Sequence, residues 1–418
     1  MKFNFLKRRK FWKRLIIWFL ALPVVLFFTV VMVAYWKQDE IVQELVSNLN
    51  EDFVGEIEVE DSHISLFENF PYISIDLDHV KVYEDKDNHK DPIVDLEDVY
   101  AGFDLWTILS GSYDIKVLEL KNGYIHVIQH EDGELNITHA LSSTKPVDEI
   151  EEDFHIHLKS IELLDVDIYK LNESNNLIVE SFVDHAELSF KSNDEHVLAS
   201  VDAQMELNVI NDGDTTFFKH KHLNIESEVE YLKESEFLLI SKSELELENA
   251  TFTGEGSIDF ADDFNVDVEL YARKQNFELF MALAPEEIYP VLDRYDNAGD
   301  IVFDVQVKGK AVNGSTPYVY ATFKCKDAHI ENNLTHKRLD ELNFSGSFTN
   351  NGMGDLEHME FTLNDFSAKP EAGTFSSSLH VKNFDSPDID MTLDSDFNLE
   401  LLASFINITS FEEMSGDV

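Results

Sequence analysis

The chain is poor in the residues that staple, bend and bind. It has one cysteine, Cys325, in 418 residues, so no disulfide framework can hold it. Proline (9) and glycine (16) are scarce, which excludes a loop-rich or collagen-like fold. Cations are few: 32 Lys and Arg stand against 82 Asp and Glu, a formal charge of −50. A surface of that sign repels phosphate backbones, which excludes a nucleic-acid role. Gly-rich phosphate loops, GxSxG and HExxH are absent as well. What is present is apolar: 44% hydrophobic residues, among them 32 Phe, far too many for a disordered acidic tail.

The longest apolar run is Leu15–Trp36, 22 residues without a charge. A bilayer core takes about 20 apolar residues in helix, so this run is long enough to span. Pro23 is tolerable there. Trp12, Trp18, Tyr35 and Trp36 sit near the ends, where amphipathic rings prefer the interface. Seven cations (Lys2, Lys7, Arg8, Arg9, Lys10, Lys13, Arg14) precede it and no acid occurs before Asp39. That asymmetry predicts a cytoplasmic basic stub over 1–14, a transmembrane helix over 15–36 and export of the rest. A cleaved signal peptide would be shorter and would end in small residues, not Val33, Tyr35 and Trp36. Taking the seven N-terminal cations from 32 leaves 25 against all 82 acids, so the exported part carries −57. Ile41, Val42, Leu45, Val46 and Leu49 continue at helical spacing and predict a juxtamembrane helix over 37–52.

From Glu56 the apolar period changes to two. Ile57 and Val59 alternate with acids, and Ile73, Ile75 and Leu77 with Ser74, Asp76 and Asp78; Val80 and Val82 then carry the pattern on the other parity, which predicts a bulge. The same alternation recurs in Leu245 and Leu247, in Val266, Val268 and Leu270, in Ile301, Phe303, Val305 and Val307, and in Phe361 and Leu363. Roughly 16–18 such strands are expected, joined by turns such as Lys121-Asn122-Gly123 and Glu131-Asp132-Gly133. The fold class is therefore mainly β: a long antiparallel sheet with one wet and one dry face, and few short helices, at Phe103–Gly111 and Asn276–Leu292. Two helices cannot cover so much dry face. Either the sheet closes on itself as a sandwich or it curls into a trough filled by something else. The sixteen apolar residues named here apart from Val80 and Val82, Ile57 to Leu363, are the candidate lining.

The residues offer no catalytic, cofactor-binding or metal site. His155-x-His157 and His220-x-His222 have a spacing that can bind zinc but lack a third ligand nearby, and His155 and His157 fall on a polar strand face. Asp165-x-Asp167 has no calcium-loop spacing around it. Cys325 reads as a small hydrophobe.

An internal repeat is visible. Asn276-Phe277-Glu278-Leu279 resembles Asn398-Leu399-Glu400-Leu401, and Ala298-Gly299-Asp300-Ile301 resembles Ser415-Gly416-Asp417-Val418. The second copy stops where a strand would begin, and the expectation is a truncated piece of a longer array.

Residues 1–136 resemble the start of an AsmA-family protein. The resemblance rests on the basic stub and anchor, Val54-Gly55-Glu56-Ile57-Glu58-Val59, Phe70-Pro71-Tyr72-Ile73-Ser74-Ile75 and Leu77-Asp78-His79-Val80-Lys81-Val82. It continues in Asp91-Pro92-Ile93-Val94, Phe103-Asp104-Leu105-Trp106-Thr107-Ile108-Leu109-Ser110-Gly111, Ile115-Lys116-Val117-Leu118-Glu119-Leu120, Tyr124-Ile125-His126-Val127 and Asp132-Gly133-Glu134-Leu135-Asn136. It implies a non-enzymatic, single-pass inner-membrane protein facing the periplasm. It implies a repeating β-groove similar to bridge-like lipid transfer proteins, with a role in phospholipid transfer towards the outer membrane and in outer-membrane assembly. The partners implied are phospholipid acyl chains, the inner membrane through Leu15–Trp36, and outer-membrane or other envelope proteins. On this reading 53–270 is the N-terminal groove region, 271–396 a further groove repeat and 397–418 the start of the next. The rival reading is an anchored β-sandwich, a binding or structural module of the envelope without lipid transport.

Overall fold

The computed structural model describes residues 46–65, 72–87, 91–103, 115–144, 156–211, 214–215, 219–262, 264–284, 289–312, 315–370, 373–396 and 398–406, with isolated positions at Thr29, Met32, Trp36, Val42 and Gln43. The predicted span Leu15–Trp36 lies almost wholly outside them. Among the described residues no helix is long and apolar enough to cross a membrane. Residues 46–52 are helical, within the stretch where the juxtamembrane helix is expected. Residues 104–114, which hold most of the helix expected at Phe103–Gly111, are outside the description; Phe103 itself ends a strand.

The chain is mainly β. Among the described residues eighteen strands belong to one antiparallel sheet, and the chain divides into two compact units. The first contains residues 1–125 and 136–166, the second 126–135 and 167–418.

In the first unit β1 (Glu56–Ser65), β2 (Ile73–Tyr83), β3 (Val94–Phe103) and β4 (Ile115–Gln129, of which 115–125 belong here) form a meander. Ile75, Leu77, Val80, Leu96, Val99, Ala101 and Phe103 are its buried core. The break in alternation between Leu77 and Val80 falls at His79, whose φ is +51°. Pairing to β1 and β3 skips this residue without a register shift, so it is a left-handed kink, not an added residue. Lys121-Asn122-Gly123, expected as a turn, lies inside β4. Asn122 has φ +52°, and the β3 backbone passes so near that a Cβ on Gly123 would stand 2.1 Å from the Asp95 carbonyl. The glycine serves close approach, not reversal. Helix α1 (Asn136–Ala140) ties back to the start of β1, where Gly55 donates its N–H to the Ala140 carbonyl at 2.9 Å. A Cβ on Gly55 would stand 2.6 Å from the Tyr83 carbonyl.

The second unit takes over β5 (Ile156–Asn172) from Asp167 on, followed by β6 (Leu177–Ser192), β7 (His196–Asn211), the two-residue β8 (Asp214–Thr215), β9 (Lys221–Leu232), β10 (Phe237–Leu247), β11 (Ala250–Asp259) and β12 (Asn265–Lys274). After two short helices, α2 (Glu278–Leu283) and α3 (Tyr289–Leu292), come β13 (Tyr295–Lys310), β14 (Tyr318–Asn332), β15 (Arg338–Thr349), β16 (Glu360–Pro370), β17 (Thr374–Lys382) and β18 (Asp388–Asp396). Helix α4 (Leu399–Ile406) follows. Strand β12 runs through residue 270 without a break, and the expected strand start at Ser415–Val418 lies outside the described residues.

Each strand from β9 to β18 pairs with its neighbour in sequence, and β7 pairs with β9. Asn residues close the turns. Asn193 Oδ1 accepts the N–H groups of Glu195 and His196 at 2.9 and 2.8 Å, and Asn332 Oδ1 those of Leu334 and Thr335 at 2.9 and 3.1 Å. This is the side-chain mimicry of backbone that makes Asn a turn residue. In β14, β15 and β16 the register shifts near Asp327, Glu341 and Asp365, each with positive φ. Such bulges bend and further twist a strand, and here they recur on adjacent strands.

Candidate functional site

Residues directly opposite in an antiparallel ladder share a face. In the second unit this rule joins the apolar residues into continuous rows. One row runs Val229–Ile240–Gly256–Val268–Val307–Val319 across β9 to β14. The next runs Leu270–Val305–Ala321–Phe348–Phe361–Val381–Ile389 across β12 to β18. A third runs Ala272–Phe303–Phe323–Gly346–Leu363–Leu379–Met391. The other face is acidic and polar, with exposed Asp267, Glu269, Asp304 and Gln306 alternating between the apolar positions.

The two ends of this apolar face differ. At one end Leu247, Phe252, Ala272, Ile301, Phe303, Phe323, Cys325 and Leu342 are buried together with Leu279 and Ala282 of α2. Phe280 of α2 stands on Phe303, Phe323 and Phe344, with ring centroids 5.0, 5.7 and 5.6 Å away. Burial pushes the Cys325 thiol up to about 12, which removes it as a nucleophile. Helix α4 lies over an apolar hollow formed with Leu339, Phe366, Pro370 and Phe375. At the other end Val266, Val268, Val305, Val307 and Val319 are only half-buried. Ile389, Met391 and Leu393 on β18 are 60, 57 and 52% exposed. Helix α2 packs on β11 and β12, and α4 on β14.

The two lid helices are built alike, as the internal repeat implies. Asn276 Oδ1 accepts the Glu278 N–H at 3.3 Å at the start of α2, and Asn398 Oδ1 accepts the Glu400 N–H at 2.7 Å at the start of α4. At the other end of each lid a buried side chain of the sheet donates to a carbonyl. Lys221, 1% exposed, donates from Nζ to the Ala284 carbonyl at 2.8 Å and also bonds the Tyr289 hydroxyl. Asn332, fully buried, donates from Nδ2 to the Phe405 carbonyl at 2.7 Å, and the Tyr295 hydroxyl donates to the same oxygen at 3.0 Å. Neither tether is visible in the sequence, where Lys221 between His220 and His222 reads as solvated.

Of the candidate lining residues, Val266, Val268, Leu270, Val305 and Val307 come together on the open rows. Phe361 and Leu363 on β16 and Leu245 on β10 are half-buried and pack against the buried cluster. Leu247, Ile301 and Phe303 are buried under α2. In the first unit Ile57 and Val59 are half-buried opposite Val82 and Val80, and Ile75 and Leu77 are buried in that unit's core. The side chain of Ile73 is outside the description.

His220 and His222 both approach Glu206 and are exposed; His155 and the side chain of His157 lie outside the described residues. The described group whose ligand atoms come close enough to hold a metal ion is a different one, His63, Asp76 and Asp78 in the first unit.

No family model, no curated protein and no solved structure matches the chain.

Proposed function

We propose that the chain is anchored in the inner membrane of a Gram-negative envelope through Leu15–Trp36. In this reading its periplasmic part is an AsmA-like β-groove that carries phospholipid acyl chains towards the outer membrane and serves outer-membrane biogenesis. The observation that carries the reading is the open end of the apolar face, where rows that cross strand after strand leave Val266, Val268, Val305, Val307 and Val319 half-buried and Ile389, Met391 and Leu393 exposed. A sandwich would place another sheet about 10 Å above such rows. Acyl chains gain about 0.8 kcal/mol per buried CH₂, so a chain of about 15 methylenes gains on the order of 10 kcal/mol by lying there. Uniform rows without a headgroup site let a chain slide, since no position binds much more tightly than the next. The acidic outer face keeps the exported part soluble, and no catalytic step belongs to the reading.

The test uses the full chain, purified gently from a Gram-negative host, with native mass spectrometry for bound phospholipid and a photo-crosslinker at Val268 or at Asp267. Co-purified phospholipid that crosslinks at Val268 and not at Asp267 is the expected result. A lipid-free chain in which Val268 crosslinks only to protein would mean a closed apolar core, and the reading would give way to an anchored binding or structural module.

A further inference from the structure

The first unit turns a polar patch inward. Register places His63 of β1 directly opposite Asp76 of β2, and Asp76 opposite Tyr100 of β3. One row along, Asp61, Asp78 and Asp98 stand opposite one another. Glu119 and Lys121 of β4 close the two rows, with Lys121 Nζ 2.6 Å from Glu119 Oε1. His63 Nε2 lies 2.7 Å from Asp76 Oδ2, and His63 Nδ1 lies 3.9 Å from Asp78 Oδ1. One ligand atom from each of the three residues falls within 4.8 Å of the other two.

Asp76 sets this patch apart from a solvated charge pair. Its side chain is 5% exposed, and its Oδ1 is buried with no hydrogen-bond partner. Burying a carboxylate is costly unless it is paired or coordinates a metal. Desolvation raises its pKa, and the charges of Asp78 and Asp98 raise it further; His63 and Tyr100 offset this in part. A single imidazole shared between two carboxylates leaves the site short of positive charge. The imidazole is 56% exposed, which leaves a path from solvent.

We propose that His63, Asp76 and Asp78 form a binding site for one divalent transition-metal ion of the zinc class, pinning β1 to β2. One imidazole nitrogen and two carboxylate oxygens are a donor set such ions accept, with solvent completing the shell. Zinc bonds of about 2.0–2.1 Å set tetrahedral ligands about 3.3 Å apart, so binding would adjust all three side chains from their present spread of up to 4.8 Å. Binding would displace any proton held by His63, because the ligand must be neutral. The role is structural: the site lies on the first unit's own strands and is independent of lipid at the open rows of the second.

The test uses the full chain in detergent, stripped with chelator and titrated with Zn²⁺ alone against a competing chromophoric chelator. The expected result is one tight site and a rise in Tm with Zn²⁺. His63→Gln and Asp78→Asn should each weaken the site at least about 100-fold. Asp76→Asn should abolish it while making the metal-free chain more stable, a combination that simple loss of structure cannot give. The double variant H220Q/H222Q should bind as the parent does. No tight site in the parent, or equal binding in the parent, H63Q and D76N, would overturn the proposal, the latter as adventitious binding to surface carboxylates. Phospholipid co-purification should be the same in H63Q as in the parent, so failure here leaves the lipid reading standing.

Discussion

The two ends of the second unit's apolar face are made by the same strands. On β13, Ile301 and Phe303 are buried; two and four residues further on, Val305 and Val307 are half-exposed. On β14, Phe323 and Cys325 are buried while Val319 and Ala321 are not. The alternation is identical, so strand propensity does not separate them. What separates them is α2, whose Leu279, Phe280 and Ala282 stand over one end only. An apolar strand position becomes core when something covers it, and stays partly exposed when nothing does.

The strongest way to break this comparison is to remove the cover. Phe280→Ala deletes four ring contacts, to Phe277, Phe303, Phe323 and Phe344, and should cost about 3–5 kcal/mol in urea unfolding. Val268→Ala at the open end should cost less than about 1 kcal/mol, since its side chain is only half-buried. Comparable losses at both ends would mean that the open rows are core after all.

A charge at the open end tests the other half. Val307→Asp, facing Val268 and Val319 across the ladders, should cut co-purified phospholipid several-fold while costing about 1–2 kcal/mol, well below Phe280→Ala. Loss of folding with Val307→Asp would count against an open surface.

The tethers sharpen the picture further. Lys221→Met removes the donor to the Ala284 carbonyl and should loosen the covered end by about 1–3 kcal/mol. Cys325 reports on it: its buried thiol should resist alkylation in the parent and react on the order of ten times faster in Lys221→Met, by mass spectrometry. Val268→Ala should leave that rate unchanged.

The smallest effect lies away from both ends. Asp76 holds its proton more tightly folded than unfolded, so its ionisation disfavours the folded state as pH rises through and above the ordinary carboxylate range of about 3.9. Metal-free Asp76→Asn should therefore be more stable than the parent at pH 7, by thermal unfolding. The difference should vanish as pH falls below that range, with the contrast between covered and open ends untouched.

The period-two strands were legible because alternation is a local pattern that burial on one face imposes. The lid helices were legible too: Asn276-Phe277-Glu278-Leu279 and Asn398-Leu399-Glu400-Leu401 begin α2 and α4, although the first stretch, read as one helix to Leu292, holds two short ones with residues 285–288 outside the description. Lys121-Asn122-Gly123 misled because glycine signals a turn and a close strand approach alike. Lys221 and Asn332 were not legible as lid tethers, nor His63, Asp76 and Asp78 as a group. Their roles depend on which strand lies opposite and in what register, and single-strand periodicity carries no information on either. The split of the dry face into covered and open ends was hidden for the same reason, since it depends on where a six-residue helix lands.

The most direct measurement places a photo-crosslinker at Val307 in one sample of the full chain and at Ala272 in another, both on the apolar face, in membranes of a Gram-negative host. The account predicts a phospholipid adduct at Val307, and at Ala272 crosslinks within the protein, under α2. Protein-only adducts at both positions would contradict it.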